Sequence, residues 1–192
     1  MSNIFINTGT INGNVSQNEA QRERFENVSS RTASEQAGYD YDVAISYASR
    51  QTRFVSRVAK ILRLEGLRVF FAPDCEEEFI AQNMVEKFYT IYRYRCLYVA
   101  SFISAEYLES DICMEEISSA LLRTRDEGRN CLIPICMEKE SLKDLLEKQK
   151  HPIPLLDPDV NYIAVYGKNG MLKEVEVADK IRRVVQKQIR EK

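Results

Sequence analysis

The sequence has no long apolar run. Its longest candidate, CLYVASFIS at residues 96–104, is less than half of the roughly 20 residues that a helix needs to span a bilayer. The first residues, MSNIFINTGT, are polar and lack the basic and then apolar pattern of a secretion signal. These absences predict a protein that works in the cytoplasm and has no membrane-spanning helix.

The sequence also lacks the residues on which several common chemistries depend. Its formal net charge is only −2, so no excess of positive charge suggests a nucleic-acid partner. Seven glycines, with neither a GxGxxG nor a GxxxxGK[ST] motif, argue against a glycine-rich phosphate loop. The one histidine, His151, lies in a predicted proline-rich loop without a matched serine or cysteine nucleophile. We therefore expect neither nucleic-acid binding nor a serine or cysteine hydrolase.

Cysteine is sparse as well. The five cysteines are an odd number, and no pair has the short CxxC spacing of a zinc or redox site. Cys96, Cys131 and Cys136 lie within apolar runs, where a thiol behaves as a small hydrophobic group. This pattern is typical of a reducing compartment, which agrees with a cytoplasmic location, and it predicts no metal site.

Residues 1–38 differ in composition from the rest of the chain. The stretch INTGTINGNVSQNEA is rich in asparagine, glycine, threonine and serine, and Asn12-Gly13 could form a tight hairpin turn. A single hairpin is marginal in water, so it would need a partner. Two interpretations of this N-terminal extension stay open: a flexible arm, or a β-segment that associates with another copy. Residues 39–192 are predicted to form one domain.

Strand and helix patterns alternate from Tyr39 onward. Phe54, Val55 and Val58, for example, have the spacing of a helix that Gly66 would end. Such alternation predicts a parallel sheet flanked by helices. Five strands indicate a flavodoxin-like α/β fold with strand order 2-1-3-4-5. The predicted strands are residues 41–47, 67–73, 96–104, 130–136 and 161–167.

In this strand order a crevice opens at the carboxyl ends of strands 1 and 3. Its walls would be SYASR at residues 46–50 and SFISAEY at residues 101–107. The helix that follows, with Ser110 as its plausible N-cap, carries two adjacent glutamates, Glu115 and Glu116. Because successive helix positions lie about 100° apart, the two glutamates cannot share a face.

Helical spacing distinguishes Glu116 from its neighbour. It predicts that Glu116 and Ile112 lie roughly opposite the apolar stripe of Met114, Ile117 and Leu121, which should face the sheet. An apolar residue stacked with a carboxylate is unusual on a solvated surface. The pair suits the wall of a cleft or a contact with another chain, although most helix carboxylates are simply solvated.

Several segments, in the right order, resemble Toll/interleukin-1 receptor (TIR) domains, particularly bacterial members. YDVAISYASR at residues 41–50 is similar to the first strand and the loop after it. Residues 67–95 resemble the second strand, the BB loop and the next helix. YVASFISAEYLESDICMEEISSAL at residues 98–121 resembles the third strand and the helix with the W-x-x-x-E motif, and NCLIPICM resembles the fourth strand. The resemblance covers about residues 39–190 and implies the same flavodoxin-like fold.

The resemblance implies an enzyme that cleaves NAD+ at the nicotinamide–ribose bond, with NAD+ as substrate and no cofactor. Some family members cyclise the ADP-ribose part into a signalling nucleotide, and bacterial members often serve antiviral defence. The glutamate of W-x-x-x-E is catalytic in the family, and alignment places it at Glu116. Family members commonly complete the site with a neighbour's BB loop, which implies activation by self-assembly.

Five further residues are expected to bind the substrate. The loop after strand 1 borders the substrate in the family, which implies roles for Tyr47, Ser49 and Arg50. Arg50 could pair with a phosphate, and Tyr47 could stack on a ring. Ile112 stands at the tryptophan position of W-x-x-x-E. Asp74 lies two positions after the place at the end of strand 2 where the family usually has an acidic residue.

The sequence departs from the family at the motif tryptophan and in the BB loop. Ile112 offers no aromatic face for stacking, and the usual W-G-K is IAQ at residues 80–82. These departures leave a second interpretation open, a non-catalytic TIR adaptor that binds other TIR domains, whereas Glu116 favours the enzyme. The expected partners are NAD+ and further copies of the chain, through the TIR domain or the N-terminal extension, and neither nucleic acid nor a membrane.

Overall fold

The computed structural model describes residues 38–79, 83–148, 153, 156–157, 159–167 and 170–190. Five parallel strands form a sheet in the order β2-β1-β3-β4-β5, which confirms the predicted flavodoxin-like α/β fold. A small antiparallel hairpin of two further strands follows the sheet. The strands are β1 (Tyr41–Tyr47), β2 (Val69–Phe70), β3 (Cys96–Ile103), β4 (Leu132–Cys136), β5 (Ile163–Ala164), β6 (Tyr166–Gly167) and β7 (Gly170–Met171).

Helices flank the sheet on both faces. Two short 3-10 helices, Ser49–Gln51 and Ala72–Phe79, follow β1 and β2. A π-helical turn, Ile91–Arg95, joins the second α-helix to β3. The α-helices are α1 (Thr52–Leu64), α2 (Met84–Thr90), α3 (Ala105–Leu108), α4 (Asp111–Glu127), α5 (Leu142–Glu147) and α6 (Glu174–Arg190).

Capping residues set several of the helix boundaries. Ser110 caps α4 as predicted, because its side chain accepts a hydrogen bond from the Cys113 amide at 3.4 Å. Asn83 and Ser141 cap α2 and α5 in the same way. Gly66 follows the end of α1 with a φ of 89°, a left-handed conformation that glycine adopts at little cost. The helix boundaries therefore follow from local chemistry that the sequence shows.

The core is divided by the sheet into two apolar clusters. One cluster includes Tyr92 of the π-helical turn and Ile117 of α4. The other joins the sheet to α1 and α6, with Val55 and Ile181 among its fully buried side chains. Burying one such aliphatic side chain stabilises a fold by roughly 1.5–3 kcal/mol. The central strands β1 and β3 are covered on both faces, so side chains at their ends are held rigidly.

The structure differs from several of the predicted strands in length. Of the predicted strand at residues 161–167, only Ile163–Ala164 joins the sheet, because the chain then turns into the hairpin of β6 and β7. Of the predicted strand at residues 67–73, only Val69–Phe70 forms a strand, and the 3-10 helix Ala72–Phe79 replaces its end. Within the described part of the chain, none of the helices has the length and apolar character needed to cross a bilayer.

Some predictions fall on residues that the structure does not describe. The predicted N-terminal extension, residues 1–38, lies outside the described residues except for its last position. His151 and the IAQ segment at residues 80–82 also lie outside them. The predictions for these segments therefore stay predictions. All five cysteines are described and are free thiols.

Candidate functional site

Glu116 lies in the second turn of α4, and only 8% of the residue is exposed. The prediction that it lies roughly opposite the core-facing stripe is wrong. The buried face of α4 includes Cys113, Glu116, Ile117 and Ala120, which follow one another at three- or one-residue steps along one stripe. Ile112, in contrast, is 56% exposed. The carboxylate therefore belongs to the face of α4 that packs on the sheet.

A chain of hydroxyl groups stabilises the Glu116 carboxylate on this buried face of α4. Ser46, near the end of β1, donates from Oγ to Glu116 Oε2 at 2.5 Å. The Tyr107 hydroxyl of α3 lies 2.7 Å from Ser46 Oγ. Because Ser46 donates its single hydroxyl proton to Glu116, the Tyr107 hydroxyl must donate to Ser46 Oγ. Burial, and then the negative charge of Glu116, raise the pKa of Tyr107 well above its usual 10, so it stays a proton donor.

The surroundings of Glu116 shift its ionisation toward neutral pH. Burial raises the pKa of Glu116 from its ordinary value of 4.5 to about 7. Hydrogen bonds with Ser46 and Tyr92 lower this pKa in part, and the charge of Glu115 raises it. A buried carboxyl group that titrates near pH 7 beside a pocket is typical of functional sites.

A pocket lies beside Glu116, between α2 and α4. Its described walls enclose about 110 Å³. Small-molecule sites usually enclose roughly 300–1,000 Å³, so this pocket could hold a ring but not a whole dinucleotide. The walls are the apolar or aromatic Met84, Val85, Phe88, Tyr89 and Ile112, with Glu115, Glu116 and Ser119 as the polar contributors.

The predicted substrate-binding residues of the loop after β1 lie at the same end of the sheet as Ser46. Tyr47 stacks on Phe71 with ring centroids 5.5 Å apart. Arg50 is exposed and forms an ion pair with Glu106 at 2.5 Å. Ser49 is exposed at the start of the 3-10 helix. None of these three predicted residues is among the described residues that line the small pocket.

The other two predicted residues differ in position. Ile112 lines the pocket together with Glu116. Asp74 instead forms an ion pair with Arg63 of α1 and is not among the described residues that line that pocket. The structure therefore brings Ile112 and Glu116 together and places Asp74 elsewhere, and the substrate-binding roles stay predictions.

Sequence reasoning missed the hydroxyl groups that surround Glu116. Ser46 gave a signal that could have been used, because it is a polar residue within the otherwise apolar strand sequence VAIS. Tyr107 lies at the end of the predicted crevice wall, residues 101–107, although nothing in the sequence linked its hydroxyl to Ser46. Tyr92 gave no signal, since a buried tyrosine in an apolar cluster is common and its hydroxyl contact depends on tertiary packing.

Comparisons with known proteins agree with this architecture. A family model for the TIR domain matches residues 43–168. The chain is 28% identical over 109 residues to the 3′ cyclic ADP-D-ribose synthase AaTIR of Aquimarina amphilecti, a match that covers 57% of this chain and 33% of that protein. The chain thus matches about a third of that relative's length.

A solved structure is also similar. The crystal structure of the TIR domain of the Toll-related receptor TRR-2 from Hydra magnipapillata superimposes with a TM-score of 0.51 and 16% identity. The match covers 78% of this chain and 98% of that domain, and at this identity it shows the fold alone. The family match spans more than half of the chain and includes both Ser46 and Glu116. This chain belongs to the TIR domain family.

Proposed function

We propose that this TIR domain cleaves the nicotinamide–ribose bond of NAD+, with Glu116 as the catalytic residue. The observation that carries the proposal is a buried glutamate, held by Ser46 Oγ at 2.5 Å and bordering a pocket. The name of the bacterial relative supports the substrate class, since cyclic ADP-D-ribose contains the ADP-ribose part of NAD+.

The reaction needs a carboxylate rather than a general acid. When the C1′–N bond of NAD+ breaks, the electron pair passes to the positively charged ring, and neutral nicotinamide leaves. The ribose carbon then resembles an oxocarbenium ion, as in glycoside cleavage. A negative charge on Glu116 stabilises this positive charge more strongly in a buried site than in water, and it can accept hydrogen bonds from the ribose hydroxyls.

Two products follow from the group that captures C1′. Attack by water forms a C1′–O bond and releases a proton, which gives ADP-ribose. Attack by a nucleophilic group of the same ADP-ribose gives a cyclic product, the class that the name of the bacterial relative describes. We propose one of these two outcomes for this chain, and product analysis distinguishes them.

Side chains around the site suggest how the rest of the substrate is held. Ile112 lines the pocket and is proposed to contact the nicotinamide ring. Arg50 is proposed to bind a phosphate, with Tyr47 and Ser49 beside it, and must first leave Glu106. An exposed ion pair contributes only about 0–1 kcal/mol, so a phosphate can replace Glu106.

The direct test is to incubate the purified full chain at high concentration with NAD+ and to resolve the products by chromatography. We expect nicotinamide together with ADP-ribose or a cyclic isomer. Glu147→Gln, an exposed residue of α5, is the control and should match the wild type. Nicotinamide release that persists in Glu116→Gln would contradict the assignment of Glu116.

Activity should rise as the pH rises through about 7. The proposed role requires ionised Glu116, and its pKa in the folded protein is about 7. Below that value kcat/KM should fall by about tenfold per pH unit, because only the ionised fraction acts. The measurement is kcat/KM for NAD+ from pH 5.5 to 8.5, with thermal unfolding at each pH as the control. A profile without a change between pH 6 and 8 would argue against Glu116.

We also propose that self-assembly completes the site. The described pocket is too small for a dinucleotide, and its rim exposes Met84, Val85, Tyr89 and Ile112, each at least 45% exposed. A second copy that covers this rim would enlarge and dry the site. Activity per molecule should therefore increase with protein concentration, in step with the assembled fraction measured by light scattering. Constant activity per molecule across a monomeric range would contradict this requirement.

The second candidate function is a non-catalytic adaptor that binds other TIR domains. The same small pocket and exposed apolar rim favour it, as does Ile112 at the position of the motif tryptophan. Absence of nicotinamide release in every assembled state would support the adaptor. For either candidate, a role in bacterial antiviral defence is proposed on the family resemblance.

A further inference from the structure

Ser46 lies at a rigid position opposite Glu116. Its strand, β1, is paired with β2 on one side and β3 on the other, and Ser46 is in register with Ser101 of β3. Ser46 is almost fully buried, with 1% exposure. The Ser46 hydroxyl group is therefore held in a fixed position. Its hydrogen bond of 2.5 Å links Glu116 Oε2 to the end of β1.

Tyr107 determines the direction of that bond. Its hydroxyl lies 2.7 Å from Ser46 Oγ and is fully buried. With Tyr107 as donor, one lone pair of Ser46 Oγ accepts its proton, and the Ser46 proton points to Glu116. Donation to the carboxylate stabilises its charged form, since hydrogen bonds to ionised groups are the stronger ones.

The other groups near Glu116 do not replace this contact. The Tyr92 hydroxyl also lies close enough to Glu116 to lower its pKa, but its single proton is donated to the backbone carbonyl of Ile45 at 2.8 Å. The remaining titratable groups in the described surroundings are Tyr89 of α2 across the pocket, Tyr92 of the π-helical turn, Tyr107 of α3, and Cys113 and Glu115 of α4.

We propose that Ser46 is a positioning residue that favours the ionised form of Glu116 and fixes its orientation, with Tyr107 orienting the Ser46 hydroxyl. The inference rests on the proposed function only for its catalytic consequence. The contact itself can be tested without NAD+.

The test is the titration of Glu116 in the full chain, followed by NMR of ¹³C-labelled glutamate carboxyl groups and assigned with the Glu116→Gln spectrum. Ser46→Ala should raise the pKa of Glu116 by roughly 1–2 pH units, the value of a hydrogen bond to a charged group. Tyr107→Phe should raise it by less, because Ser46 keeps its proton but loses its orienting donor. The kcat/KM profile for NAD+ should move to higher pH by matching amounts.

Ser101→Ala is the matched control, since it removes a buried hydroxyl from the neighbouring strand. Ser101 Oγ lies close enough to lower the pKa of Tyr107, but without good hydrogen-bond geometry to any described residue. A pKa of Glu116 that is the same in Ser46→Ala as in the wild type or in Ser101→Ala would overturn the proposal.

Further outcomes separate this inference from the proposed function. A raised pKa in Ser46→Ala, without NAD+ cleavage by any variant, would support Ser46 as the group that orients Glu116 and would contradict the enzymatic function. If Ser46→Ala does not fold, the titration of Glu116 in Tyr107→Phe tests the proposal instead. A higher pKa of Glu116 in that variant supports the hydroxyl chain, and an unchanged pKa overturns it.

Discussion

Glu116→Gln is expected to lower NAD+ cleavage by at least about 100-fold and, at pH 8, to raise the free energy of unfolding by about 3 kcal/mol. The two effects have one cause. The carboxylate that would stabilise a positive charge in the transition state is a buried negative charge in the free protein, where only 8% of the residue is exposed. Glutamine keeps an oxygen that can accept from Ser46 and removes the charge.

The sign of the stability effect follows from the pKa of Glu116. That pKa rises from an ordinary 4.5 to about 7 in the folded protein, so folding favours the protonated side chain. The stabilisation of the folded protein by protonated Glu116 is complete below about pH 4.5 and is lost as the pH rises through about 7. Each pH unit of difference corresponds to about 1.4 kcal/mol, so the gain from glutamine should be much smaller at pH 5 than at pH 8.

Urea denaturation of the wild type and of Glu116→Gln at pH 5 and pH 8 measures this difference. Glu147→Gln, which removes an exposed carboxylate, should change the free energy of unfolding by less than about 0.5 kcal/mol at both values. A difference in stability between Glu116→Gln and the wild type that is the same at pH 5 and pH 8 would contradict a buried carboxylate with a raised pKa, because the cost of the two glutamine N–H groups does not depend on pH. A buried carboxylate that lowers stability in this way is consistent with the proposed role of Glu116.

Much of the fold could be predicted because its determinants are local. Short apolar runs and helical spacing gave the alternation of strands and helices, and Ser110 and Gly66 marked helix ends through capping and left-handed geometry. The strand order followed from the crossover rules for parallel sheets. The end of the fifth strand could not be predicted, because NYIAVYG suits a sheet strand and a hairpin equally well.

The sequence singled out Glu116 for the candidate site but did not give its geometry, and its catalytic role stays a proposal. The motif spacing selected Glu116, but the helical wheel placed it on the wrong face because the predicted stripe of Met114, Ile117 and Leu121 omitted Cys113 and Ala120. These two small residues are buried and rotate the core-facing side of α4 toward Glu116. The tertiary contact with Ser46 reverses that assignment. The ion pairs of Arg50 and Asp74 could not be predicted from the sequence either. Arg50 pairs with Glu106 and Asp74 with Arg63, and these partners are brought together only by the fold.

Arg123 is the clearest case of a residue whose sequence context hides its role. In LLRTRDE it resembles a solvated helix charge, yet it is 2% exposed. It lies two turns after Glu116 on the same buried face of α4. Its Nη1 donates to the carbonyl of Cys96 at 2.5 Å and of Tyr92 at 3.3 Å, and its Nη2 donates to that of Leu97 at 3.0 Å.

Arg123→Met should therefore destabilise the protein by about 3–5 kcal/mol. Methionine fills the space of the aliphatic stem but leaves three buried carbonyls without these donors, where the π-helical turn meets β3. Arg125→Met is the matched control on the same helix. Arg125 has a side chain 61% exposed and pairs with Asp126 at the surface, so its loss should cost about 1 kcal/mol or less.

The comparison of the two arginine variants by urea denaturation also tests how the site is supported. Arg123 fixes the turn that carries Tyr92, and Tyr92 contacts Glu116 and the Ile45 carbonyl. Arg123→Met should thus change the pKa of Glu116 as well as the free energy of unfolding, whereas Arg125→Met should change neither by a comparable amount. Equal destabilisation by the two substitutions would show that the buried guanidinium adds no more than a surface charge, and that the turn is held by apolar packing alone.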